Sequence, residues 1–231
     1  ERFLSSDVLI TARDIINLWV ARMIFSGLEF QKKTPFPEVL IHATILTKDG
    51  KRMSKSLGTG IDPVGLIDKY GADATRFGII WQAMGTQDIH WDETAVMAGK
   101  KFANKLWNVA RFVQGRIGEL KIKNEKVKAE QAEDKEILEK LENLRKEVGK
   151  DIKSYEFGPA LHSIYDFIWH EVADKYIEAT KKREDENAKL VLRELLLNSL
   201  KMLHPFMPFV TEEIYQRLFA SGGSLLIIEQ C

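Results

Sequence analysis

The sequence predicts a short α/β segment followed by an all-α bundle. Strand-like apolar stretches are confined to roughly the first 70 residues, where strand, helix, strand and helix alternate. Beyond them, successive amphipathic helical periods with short connections follow one another, the pattern of a helical bundle. Apolar residues make up 45% and charged residues 29% of the 231, ordinary for a globular chain that buries a real core.

Asp7 to Ala12 reads as a short buried strand. A helix from about Asp14 to Ser26 follows, with Ile16, Trp19, Val20, Met23 and Ile24 at helical spacing and Gly27 as its expected C-terminal cap. Pro35 and Pro37 mark a turn, Val39 to Thr47 is β-rich, and Lys48-Asp49-Gly50-Lys51 has hairpin-turn chemistry. Asp62-Pro63 is an N-cap followed by proline at the first helical position, opening a helix that stops at Gly71. Asp73 to Ala83 is expected to be helical, and Gly85 to Asp92 an irregular connection. Phe102, Leu106, Val109 and Val113 form one stripe on a helix from about Glu93 to Leu120. Lys121 to Glu133 reads as a polar linker or frayed helix start. Helices are then expected near Asp134–Lys153, Gly158–Lys182, Asn187–Leu203 and, after Pro205 and Pro208, Phe209–Phe219.

Lys+Arg and Asp+Glu both number 34, so any nucleic-acid contact must come from a local basic face. The one cysteine, Cys231, excludes an internal disulfide framework and a cysteine-based zinc site. No apolar run approaches the ~18 residues that span a bilayer, and Glu1-Arg2-Phe3 does not open a signal peptide, so no membrane partner and a cytoplasmic setting are expected. The α/β part supplies about two strands, against about five or six in a doubly wound nucleotide-binding sheet. With the terminal apolar run Leu225-Leu226-Ile227-Ile228, this gives the expectation of a piece of a longer protein.

Lys51-Arg52-Met53-Ser54-Lys55-Ser56-Leu57-Gly58 gathers three cations, two hydroxyls and a glycine into eight residues. Ammonium groups act as mobile point charges for phosphate oxygens, and hydroxyls and loop amides add donors. The spacing is not that of a P-loop. For an arbitrary cluster of this kind a solvated, charged hairpin tip is the better explanation. Here, however, Met-Ser-Lys-Ser after a basic residue resembles the signature loop of the class I aminoacyl-tRNA synthetases.

Other stretches extend the resemblance across essentially the whole chain. Asp14 is followed five positions later by Trp19, then Val20-Ala21-Arg22-Met23, which is similar to the valyl group. Tyr70-Gly71-Ala72-Asp73-Ala74-Thr75-Arg76-Phe77 and His204 to Glu213 resemble the valyl, leucyl and isoleucyl subgroup, and Phe102 to Asn108 with Ala110-Arg111-Phe112 resembles the opening of the valyl anticodon-binding bundle. Ile15-Ile16-Asn17-Leu18 stands where isoleucyl enzymes have Gln-His-Arg-Gly. The chain departs from the family at Arg52, usually Lys, and at Ala12 and Ala43, where Gly is usual. His-x-Gly-His, the family's other signature, does not occur in it, and the hydrolytic editing domain of the subgroup is expected upstream.

The resemblance implies a Rossmann-type catalytic part over 1–71, a connecting segment over 72–95 and an anticodon-binding bundle over 96–231. It implies ATP-dependent attachment of valine to tRNA through an aminoacyl-adenylate, with ATP, its Mg²⁺, valine and valine tRNA as partners and no structural zinc. As pyrophosphate leaves, Lys55 and then Arg52 would stabilise the growing charge, with Ser54 and Ser56 as shaping donors. Asp14, His42 and Met53 would lie at the nucleotide, and Trp19 with Asp14 at the amino-acid pocket. Taken as residues alone, Asp14 reads as readily as a helix N-cap, while core is the default reading of Trp19 and a strand-end histidine that of His42. Lys101, Lys105, Asn108 and Arg111 lie off the apolar stripe of their helix and would face tRNA, although a solvated face also explains them. Lys181-Lys182-Arg183 is weaker, since Glu184, Asp185 and Glu186 follow. Two alternatives stay open: an isoleucyl enzyme, and a tRNA-binding module without catalysis.

Overall fold

The computed structural model describes residues 5–54, 58–85, 87–117, 127, 131–219 and 226. By internal packing the chain divides into two units, residues 1–60 with 83–91, and residues 61–82 with 92–231.

In the first unit, β1 (Val8–Ala12) pairs in parallel with β2 (Glu38–His42), in a register that sets Val8 beside Glu38 and Ala12 beside His42. The crossover between them is one helix, α1, spanning residues 13–31. It opens as a 3₁₀ turn over Arg13–Ile15, widens over Ile16–Val20, is α-helical over Ala21–Ser26, and widens again over Gly27–Gln31. The expected cap at Gly27 is therefore corrected. Gly27 has helical φ −62°, and the helix ends only where Lys32 turns left-handed at φ 56°. Glycine is needed at 27 for a different reason, because a Cβ there would lie 2.9 Å from the Lys33 carbonyl and 3.0 Å from Pro35.

The connection expected to be irregular over 85–92 contains a two-residue strand. Here β4 (Ile89–His90) pairs in parallel with β3 (Ile45–Leu46). Such a pair is set by a partner some forty residues away and leaves no local period to read. The turn after β3 is formed as expected. Thr47 N–H donates to Lys51 O at 2.8 Å, Gly50 N–H donates to Thr47 O at 2.9 Å, and Gly50 adopts φ 78°.

The second unit is helical. Asp62 caps α2 (Pro63–Tyr70) by accepting from Val64 N at 3.0 Å and Gly65 N at 3.2 Å, and Gly71 ends it at φ 95°. Then come α3 (Ala72–Trp81), α4 (Glu93–Ile117) and α5 (Ala132–Lys153). Next is a continuous helix, α6, over 157–180, widened in its middle over Phe167–Tyr176. The unit closes with α7 (Glu186–Leu203) and α8 (Pro208–Leu218). Helix α2, expected with the α/β part, packs in this unit. Its Leu66 is buried, and Lys69 and Tyr70 donate to Glu93 of α4 at 2.9 and 2.6 Å.

The predicted stripe of Phe102, Leu106, Val109 and Val113 is buried and joins Phe77, Leu141, Leu161, Leu195 and Leu200 in one core. Two polar devices fasten this core. Fully buried Asp134 accepts from Arg183 Nη1 and Nη2, the Tyr176 hydroxyl and the Asn187 amide, all within 2.7–2.9 Å. Asp73 of α3 accepts from Phe209 N and Val210 N at 3.2 and 2.6 Å, capping α8 from outside, while Arg76 donates to the Phe206 and Pro205 carbonyls. Among the described residues no helix is long and apolar enough to cross a membrane.

Candidate nucleotide and RNA-binding site

The residues expected at the nucleotide fall in the first unit, where two of them, Asp14 and Arg52, are in contact. Asp14 enters α1 one residue past the end of β1's turn, but it caps nothing. Ala12 holds the cap position with no side-chain bond, and the Asp14 carboxylate instead forms an ion pair with Arg52, 38 residues away. Both side chains are exposed, so the pair contributes on the order of 0–1 kcal/mol. A phosphate can therefore compete for Arg52 at small cost. Arg52 itself is placed by the turn at 47–51 and by an antiparallel bridge to Leu46.

The loop that follows is closed at its neck. Ser54 N–H donates to Thr59 Oγ1 at 3.0 Å, and Thr59 N–H donates to Ser54 O at 3.2 Å. Met53 is half-buried beside it. Lys55 and Ser56 lie outside the described residues. Gly58 has φ 63° with open space about its Cα, so glycine is used here for its backbone and not for close approach.

His42 ends β2 with its side chain exposed, and Nδ1 donates to the Ala43 carbonyl at 2.9 Å. Trp19 is not core, being 44% exposed on α1. Next to Asp14 lies an ion pair that no local sequence pattern announces. Arg13 pairs with Asp88, which also accepts from Thr44 N at 3.0 Å. The Thr44 amide and then the Arg13 guanidinium hold the Asp88 carboxyl below the usual carboxylate range. Two adjacent residues at the end of β1 thus pin two separate return segments, 44–52 and 88. The partners lie 75 and 38 residues away, beyond any local pattern.

In the second unit, Lys101, Asn108 and Arg111 are exposed on α4 and have no partner among the described residues. Lys105 differs. It donates to Asp174 at 2.8 Å and lies 5.0 Å from the centre of the Trp169 ring. The Lys105 hydrogen bond holds Asp174 below the usual carboxylate range.

A basic loop of the α/β unit and a helical bundle occur together in one chain. Residues 1–92 match the family model of class I tRNA synthetases (I, L, M and V), and residues 134–230 match that of the anticodon-binding domain of tRNA ligase. The chain belongs to the class I aminoacyl-tRNA synthetases. Among curated relatives it is 42% identical over 233 residues to a valine–tRNA ligase of Fervidobacterium nodosum, covering 99% of this chain and 27% of the relative. It is 47% identical over 223 residues to that of Clostridium tetani, covering 93% and 25%. The chain thus spans about a quarter of the length of these relatives. The fold is shared with the Agrobacterium radiobacter K84 LeuRS–tRNA–LeuAMS ternary complex, at TM-score 0.79 and 21% identity over 97% of this chain and 28% of that one. It is also shared with Mycobacterium tuberculosis methionyl-tRNA synthetase in complex with methionyl-adenylate, at TM-score 0.72 and 22% identity over 96% and 47%.

Proposed function

We propose that this chain carries the signature-loop part of the nucleotide site and the RNA-binding bundle of a valine–tRNA ligase. Such an enzyme activates valine with ATP and passes it to tRNA in the cytoplasm. The observation that carries the reading is the 42–47% identity to valine–tRNA ligases along nearly the whole chain. The Asp14–Arg52 pair beside the signature loop supports it from the geometry.

In the first step the valine carboxylate attacks the α-phosphorus and pyrophosphate leaves. Charge grows on the β-phosphate, where Lys55 and then Arg52 engage it more tightly than in the ground state. Arg52 exchanges Asp14 for phosphate, which frees the Asp14 carboxylate to accept from a ribose hydroxyl or the valine ammonium. Ser54 and Ser56 shape the loop, Met53 and His42 flank the nucleotide, and Trp19 walls the amino-acid pocket. Mg²⁺ neutralises phosphate charge when bound with ATP. Among the described residues no three His, Cys, Asp or Glu side chains converge, and the phosphates themselves supply its main ligands. Lys101, Lys105 and Arg111 track RNA phosphates, and Asn108 reads an unstacked base.

The test is amino-acid-dependent exchange of pyrophosphate into ATP by a protein of the relatives' full length that contains these residues. Valine is expected to outpace isoleucine by about 10–200-fold before any editing. The 231 residues alone, which contain no His-x-Gly-His, are expected to give background exchange. Equal rates with isoleucine, or valine-dependent exchange by the 231 residues alone, would overturn this assignment.

A further inference from the structure

We propose that the Arg13–Asp88 ion pair is a positioning clamp that holds Asp14 where substrate meets it. The proposal rests on the proposed function, in which Asp14 accepts from a ribose hydroxyl or the valine ammonium. It gives a part in that function to Asp88, which lies outside the stretches that carry the family resemblance.

The turn that carries Asp14 is not fixed from within. The chain leaves β1 at Ala12 and enters a 3₁₀ turn over Arg13–Ile15, and the cap residue, Ala12, offers no side-chain bond. Among the described residues the Asp14 carboxylate has one polar partner, Arg52. That partner is the one that goes to phosphate in the proposed step. When Asp14 must hold substrate, nothing on its own side chain then orients it. Successive residues of a 3₁₀ turn stand about 120° apart, so fixing the direction of Arg13 fixes that of Asp14.

Asp88 supplies that fixation. One oxygen, Oδ1, accepts both from the Arg13 guanidinium and from Thr44 N at 3.0 Å. The backbone returns the contact along the β3–β4 pairing, where Ile89 N–H donates to Thr44 O at 2.9 Å and Trp91 N–H to Leu46 O at 3.0 Å. The anchor is therefore a carboxylate on a backbone that is itself held. The side chains of Arg13 and Asp88 are 50% and 29% exposed, and a surface pair of this kind contributes little to folding. Its effect is on geometry, since misplacing a substrate-binding group by about 1 Å can cost about 10²-fold in rate. The pair also occupies the Arg13 cation, which would otherwise stand free one residue from the Asp14 carboxylate.

The experiment is a double-mutant cycle on valine-dependent pyrophosphate exchange, in a protein of the relatives' full length. Arg13→Leu leaves the bond from Thr44 to Asp88 intact, and Asp88→Ala removes the anchor. Each is expected to lower kcat/KM about 10–100-fold. Neither should cost more than about twofold further once Asp14→Asn is present, because the clamp acts through Asp14. Should Asp14→Asn leave too little exchange to compare, Asp14→Glu takes its place. Should Asp88→Ala not fold, Asp88→Asn replaces it, keeping an acceptor for Thr44 and dropping the charge. A merely structural pair would cost the same factor with or without the Asp14 carboxylate, and that result overturns the proposal. So does full activity of Asp88→Ala; with Arg13→Leu impaired, it would mean that Arg13 meets substrate itself. In both cases the unaltered protein still exchanges with valine and the proposed function stands. No valine-dependent exchange by the unaltered protein sinks both.

Discussion

The two units use similar apolar residues to opposite ends. In the α/β unit, Leu18, Phe25 and Phe30 of α1 are 66%, 70% and 76% exposed, and Ile10 of β1 is 59% exposed. In the helical unit, Phe77, Phe102, Leu106, Leu195 and Leu200 are all 0% exposed. Parallel strands are ordinarily covered on both faces, and two two-stranded pairs with one helix have no means to do that. Amphipathic helices, by contrast, close on one another. The bundle closes a core of its own, whereas the α/β unit leaves large apolar side chains of α1 and β1 exposed.

The largest effects should therefore fall in the bundle. Leu106→Ala removes a fully buried side chain and is expected to cost about 2–5 kcal/mol. Trp19→Ala, on the exposed face of α1, should change chemical stability by under about 1 kcal/mol despite deleting more atoms. Urea unfolding of both variants reads this directly. Equal losses would mean that α1 is as closed as α4, and the comparison would break.

Asp134→Ala is expected to cost about 3–5 kcal/mol, because it removes the buried acceptor of Tyr176 and Asn187 and leaves half-buried Arg183 with Asp185 alone of its two carboxylate partners. Although burial opposes ionisation of Asp134, hydrogen bonds from Arg183 and Tyr176 hold its pKa below the ordinary value of 3.8. The unfolded chain then binds the proton more readily. This contribution is present above pH ~3.8 and is lost as pH falls below it. Acid unfolding followed by circular dichroism should show a bundle transition that moves to higher pH in the variant.

A smaller effect sharpens the contrast near neutrality. His204 is buried, and its loss of solvation lowers its pKa from 6.5, against the pull of Glu212 and Asp73. The unfolded state takes up the proton first, so the bundle should be fully stable above pH ~6.5 and weaken as pH falls through that value. Melting temperature between pH 7.5 and 5.5 should decline in the native chain and flatten in His204→Gln. A decline of the same slope in the variant would place the titration elsewhere.

How much of this was legible follows from the same contrast. The helices of the bundle carry long amphipathic periods, so the stripe Phe102–Leu106–Val109–Val113 could be read directly, as could the Asp62-Pro63 start and the stop at Gly71. In the α/β unit the information is non-local. The end of α1 depends on Pro35 packing against Gly27, and β4 exists only beside β3. At the site, Asp14 and Arg52 were each legible from the family pattern, but their pairing was not, and Arg13–Asp88 left no trace in sequence. The cap expected of Asp14 gave way to that ion pair. Trp19 proved to be surface because α1 has no second layer to bury it.

In the proposed function the loop beginning at Arg52 serves the departing phosphate and not valine binding. Its most direct test is Lys55→Ala in a protein of the relatives' full length, with valine activation followed in single turnover across a range of valine concentrations. A fall of about 10²–10³ in the activation rate with little change in valine affinity is expected. An unchanged rate combined with weakened valine binding would contradict it.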